Sequence, residues 1–95
     1  MSTAEKQLVA LFDRFYESKR PVRVFFNNGA TYDLRILSTM HAEEGGDVVA
    51  DVVETIQPPK SGPLVDWSNA AMNFRLEDVV RVEDGNEHIF FKSDS

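Results

Sequence analysis

Apolar side chains follow two different rhythms along this chain, and the rhythm changes at Pro21. Before it, Leu8, Val9, Leu11, Phe12, Phe15 and Tyr16 recur at steps of one, three and four residues. That is the stripe of a helix with one buried face. Lys6, Gln7, Asp13, Arg14 and Glu17 fall mostly on the other side. Ser2 and Glu5 have the spacing of a capping box, in which each side chain satisfies the other residue's free backbone donor. Pro21 ends the helix, because it has no N–H to donate and its ring clashes with the preceding turn.

From Val22 the period is two. Val22, Val24 and Phe26 alternate with Arg23 and Phe25, so Phe25 is the apolar exception, placed to cover an open barrel end or to meet a neighbouring subunit. Asn28-Gly29 supplies the positive φ angles of a tight hairpin. A second strand is predicted from about Ala30 to Met40, with Tyr32, Leu34 and Ile36 on one face and Asp33, Arg35 and Leu37 on the other. Glu43 to Gly46 forms a turn. Asp47 to Ile56 is a third strand, rich in Val and long enough to bend across both halves of a barrel. Residues 57–69 are irregular, with Pro58, Pro59, Gly62, Pro63 and the single Trp67. Met72 to Leu76 and Val79 to Val82 are two further short strands about a tight Glu77-Asp78 turn. Ile89, Phe90 and Phe91 form a last strand or a packed tail. Residues 1–92 read as one domain, and 93–95 as a disordered tail. The fold class is α+β, mainly β: an N-terminal helix, then a bent five-stranded antiparallel barrel.

Charge narrows the possible partners. The net charge is −6, but residues 1–40 carry a balance of +2 and the rest −8. The mean charge argues against gripping a polyanion by bulk electrostatics, while a local basic face remains near Arg14, Lys19, Arg20 and Arg23. The chain has no cysteine, which removes disulfides, thiolate metal sites and thiol nucleophiles together. No apolar run reaches membrane-spanning length, and no basic-then-apolar leader opens the sequence, so a soluble cytoplasmic protein is expected.

An enzyme needs a nucleophile, or a tuned acid and base, in one pocket. His41 and His88 are the only histidines, and neither has an acid or serine at a recognisable spacing. Adjacent carboxylates such as Glu77 and Asp78 point to opposite faces of a strand and share no site. His41, Glu43, Glu44 and Asp47 match no calcium-loop spacing. No catalytic residue, metal or cofactor is therefore assigned. Trp67 is either an interface anchor or a lid folded over the barrel end.

The helix, the strand Val22–Phe26 ending in Asn28-Gly29, the long second and third strands and the closing Phe74-Arg75-Leu76-Glu77-Asp78-Val79 resemble the Sm-like family of small SH3-like barrels. The resemblance covers roughly residues 5–84 and is one of architecture. The family's loop signatures are replaced here by Met40-His41-Ala42-Glu43 and Arg75-Leu76-Glu77-Asp78. It implies a homo-oligomeric ring, built by pairing the fourth strand of one subunit with the fifth of the next. It also implies single-stranded RNA held by the two loops, with His41, Asn73 and Arg75 as the nearest equivalents of the binding residues. Phe25 and Trp67 are the candidate partner contacts. The expected function is a nucleic-acid-binding ring scaffold. The alternative is a protein-interaction or structural adaptor without RNA binding, which the charge and the altered loops favour.

Overall fold

The structure, a computed structural model, describes residues 3–39, 47–58, 60, 71–84 and 88–92. Ser2, His41, the Glu43–Gly46 turn, Trp67 and the 93–95 tail lie outside the described residues. The helix α1 spans Thr3–Ser18 and buries Leu8, Val9, Leu11 and Phe12, four of the six positions of its apolar stripe. Phe15 is half-buried. Tyr16 belongs to the same stripe yet is half exposed, in a shallow groove with Ile36 and Leu37. Lys19 ends the helix in the left-handed region at φ 58°, its N–H donating to the Phe15 carbonyl at 2.9 Å. Glycine usually fills this position, because a Cβ is strained there.

Among the described residues six strands follow: β1 Val22–Phe26, β2 Thr31–Ser38, β3 Val48–Gln57, β4 Ala71–Phe74, β5 Val79–Glu83 and β6 Ile89–Lys92. They form one antiparallel sheet in the order β4-β3-β2-β1-β5-β6, and a single 3-10 turn at Leu76–Asp78 carries the chain from β4 to β5. The inward residues are those the alternation marks: Val22, Val24 and Phe26, then Tyr32, Leu34 and Ile36, then Val48, Ala50 and Val52. Each fully buried Val, Leu, Ile or Phe among them contributes roughly 1.5–3 kcal/mol. No helix among the described residues is long and apolar enough to cross a membrane.

Two expectations change. Among the described residues the sheet has six strands where a five-stranded barrel is expected, because Ile89–Lys92 takes the strand alternative and pairs with β5. Nor is it a closed cylinder: β4 and β6 are the two ends of the ladder, and no backbone pairing joins them. It is bent, however. Phe26 on β1 and Phe74 on β4 lie three ladder steps apart, about 14 Å in a flat sheet. Their ring centroids are 5.0 Å apart, and Phe12 meets Phe74 at 5.6 Å. The register shifts between β2 and β3 are where such a bend is accommodated. The curled sheet thus wraps the helix face.

The first hairpin also differs in detail. Gly29 N–H donates to the Phe26 carbonyl, Phe26 N–H donates to the Ala30 carbonyl, and only Gly29 has positive φ, at 88°. This is a type I turn closed by a left-handed glycine, which lets Asn28 keep negative φ. Asn28 Oδ1 accepts from Ala30 N–H at 3.0 Å, and the Asn28 carbonyl accepts from Lys60 N–H. A Cβ on Gly29 would stand 2.7 Å from Lys60 Cγ.

Both left-handed positions can be tested by thermal melting. Lys19→Gly should stabilise by about 0.5–1 kcal/mol, and Gly29→Ala should destabilise by about 1 kcal/mol or more. For a domain of this size, these become shifts of roughly 3–6 °C in opposite directions.

Candidate functional site

The outer face of the sheet is set by cross-strand register. Arg23 on β1 stands opposite Asp33 on β2 and Glu83 on β5. Its guanidinium donates from Nε to Asp33 Oδ1 at 2.9 Å and from Nη2 to Oδ2 at 3.3 Å, a two-pronged contact. That hydrogen bonding raises the Arg23 pKa above its ordinary value, outweighing a smaller desolvation effect, and the charges of Asp33, Glu83 and Glu54 add to it. Arg81, opposite Phe25, approaches Glu83 Oε2 at 2.8 Å and lies 5.2 Å over the Phe25 ring. The Arg81–Glu83 contact is ionic without being aligned, since Glu83 Oε2 and Arg81 Nε are both buried without a hydrogen-bond partner. Phe25, the apolar exception in its strand, is half-buried under a cation of its own chain.

The end of β4 carries two of the expected RNA contacts. Asn73 is exposed and pairs with Val49. Arg75 follows the strand and is held by Asp47 at 3.8 Å and Glu77 at 3.3 Å. Asn73 lines a groove of about 630 Å³ between β4 and the β1–β2 turn. Phe26, Tyr32, Met72 and Phe74 contribute its apolar lining, and Asn27, Asn28 and Asp78 its polar part. Burial pushes the Tyr32 hydroxyl above its ordinary pKa, so it stays protonated here. Arg75 is thus held between two carboxylates, Asp47 and Glu77, and a third, Asp78, lines the groove with Asn73. His41 and Trp67 lie outside the described residues.

A second groove, of about 480 Å³, lies where α1 ends against β6. Its lining is Leu11, Arg14, Phe15, Ser18, Arg20 and Phe90. The Phe15 and Phe90 rings meet edge to face at 5.5 Å, and His88 lies 4.8 Å from Phe90. Ser18 Oγ donates to the Phe15 carbonyl and accepts from Arg20 N–H, which pins the backbone of Arg20 at the helix end. The six arginines divide cleanly. Arg23, Arg35, Arg75 and Arg81 each lie within 4 Å of a carboxylate, whereas Arg14 and Arg20 have no such partner among the described residues. The basic face expected near the helix therefore keeps Arg14 and Arg20 and loses Arg23 to the sheet. Phe90 is a candidate partner contact by its aromatic character alone, but its place beside Phe15 is not legible, because nothing local sets the last strand against the helix. The Arg14–Ser18 spacing of four was the one legible sign.

Comparison of the chain with protein-family models, with curated proteins and with solved structures finds no match.

Asp33→Ala would leave Arg23 half-buried without its two-pronged partner. It should cost about 1 kcal/mol in urea unfolding, while Asp51→Ala, which removes a loose contact to Arg35, should stay within about 0.5 kcal/mol.

Proposed function

We propose that this chain is a non-catalytic interaction module of the Sm-like type. On this reading it takes an extended, positively charged segment of a partner protein onto the free edge of β4. The carrying observation is the combination at that edge. Four residues of strand have no outer partner among the described residues, a groove of mixed apolar and polar lining lies beside them, and the carboxylates of Asp47 and Glu77 hold Arg75 where the strand ends. An unpaired strand edge offers main-chain donors and acceptors to an incoming strand, and the groove takes its side chains. The acidic surround favours a cationic strand and repels an anionic one.

The helix followed by strands ordered β4-β3-β2-β1-β5 supports the Sm-like part of the reading. Assembly of identical copies through β4 fits the same edge. A ring that joins β4 to the next copy's β5 would have to displace β6, which already covers β5. RNA held by Asn73 and Arg75 would have to approach three carboxylates, and that local balance opposes phosphate. A nucleic-acid role draws its support from Arg14 and Arg20 instead.

The test is fluorescence anisotropy with labelled ten-residue peptides of alternating Lys-Val and alternating Glu-Val, alongside light scattering of the chain alone. The Lys-Val peptide should bind and weaken with salt, and the Glu-Val peptide should not bind. Asn73→Lys, an exposed change that adds a cation at the edge, should weaken binding by roughly threefold to tenfold. Equal binding of both peptides, or indifference to Asn73→Lys, would defeat the reading. A concentration-dependent oligomer abolished by Asn73→Lys would mean that the edge takes a second copy instead.

A further inference from the structure

The groove between the end of α1 and β6 shares no residue with the β4 groove, and its chemistry is of the opposite sign. We propose that it binds a phosphorylated nucleoside, with the ring against Phe90 and the phosphate between the guanidinium groups of Arg14 and Arg20.

Three observations converge on that ligand. First, among the described residues Arg14 and Arg20 are the two arginines with no carboxylate within 4 Å, and both line this groove. The helix also keeps its charges apart. Asp13 and Glu17 line a different groove with Ser38 and Thr39, and Asp13 accepts a hydrogen bond from Thr39. Second, the wall facing the arginines is aromatic. Phe90 is 36% exposed and braced by Phe15 and His88, so a planar ring can lie on it with little rearrangement. Third, the volume of about 480 Å³ falls within the range of small-ligand sites and admits one nucleotide.

The electrostatic balance favours a phosphate. The helix C-terminus contributes about half a negative charge, against two full positive charges from the arginines. Guanidinium groups donate in a planar fork that matches phosphate oxygens. An acidic peptide would satisfy the arginines but leave the aromatic wall uncovered. The combination of cation pair and exposed ring therefore selects a ligand carrying both a phosphate and a planar ring. Such a unit comes either from a free nucleotide or from a single-stranded RNA.

The experiment is a ¹⁵N–¹H NMR titration of the full chain at low salt with uridine, uridine monophosphate, inorganic phosphate and a ten-residue oligouridylate. Anisotropy of the labelled oligomer at several salt concentrations accompanies it. Uridine monophosphate should shift the signals of Arg20 and Phe90, with uridine and phosphate each binding more weakly. Tighter binding of the oligomer than of the monophosphate identifies the strand as the source; equal or weaker binding identifies the free nucleotide. For the strand, log K against log salt should have a slope of about −0.7, from the one phosphate held by the arginine pair. Arg14→Ala and Arg20→Ala should each weaken binding about fivefold. Phe90→Leu, which keeps bulk against Phe15 but removes the ring face, should weaken it about tenfold. Arg35→Ala, already paired to Asp51 and outside this groove, should change nothing. The proposal is overturned if neither the monophosphate nor the oligomer binds, if binding ignores both arginine substitutions, or if an oligoglutamate peptide binds as tightly. None of these outcomes depends on the β4 edge.

Discussion

The edge-to-face cluster of Phe12, Phe26 and Phe74 is the constraint on which the rest of the domain depends. A helix stripe, the end of the first strand and the end of the fourth converge on one point, with ring centroids 5.0–5.6 Å apart. Such pairs contribute about 0.5–1.5 kcal/mol each beyond the area they bury. Their larger effect is geometric. Two strands that are not neighbours in the ladder cannot share a ring contact unless the sheet between them curls, so β3 must be long and irregularly registered against β2. The curl carries β4 round to the β1–β2 turn and leaves its outer edge beside a groove. It also leaves β5 to return beside β1, where β6 then covers it.

Much of the local architecture is legible in the residues. The change from a helical to a two-residue rhythm at Pro21 marks the helix end, and β1 spans the alternating run Val22–Phe26. The inward faces of β2 and β3 follow from the same alternation. Where that reasoning stops is equally specific. Asn28-Gly29 announces a turn, but the identity of the turn depends on which carbonyl Gly29 meets, and the local pattern leaves that open. Ile89, Phe90 and Phe91 read equally as strand or packed tail, because only the neighbouring β5 supplies their hydrogen bonds. Closure of the sheet depends on the fate of two distant edges, on which period-two patterning is silent.

The arginines make the same point for the candidate sites. Arg14, Arg20 and Arg23 are chemically identical and lie within ten positions of one another. Arg23 is absorbed by Asp33 because cross-strand pairing sets them face to face. Arg14 and Arg20 have no carboxylate partner among the described residues: Arg14 lines one groove while Asp13 and Glu17 line another, and Arg20 lies past the helix end. Register and facing, not composition, therefore divide an acidic protein into a surface suited to cations and another suited to anions. Asn73 and Arg75 were singled out by resemblance, and the first of these surfaces holds them both.

The ladder order has a consequence in time. β1, β2 and β3 can zip together as a local meander, whereas β5 reaches β1 only after the intervening chain has been made and folded back. Contacts between such remote positions form late, since loop closure costs entropy before any pairing rewards it. During synthesis the open side of β1, with Val24 and Phe26 still uncovered, is thus the surface at which a nascent chain is most exposed to sticking to its neighbours.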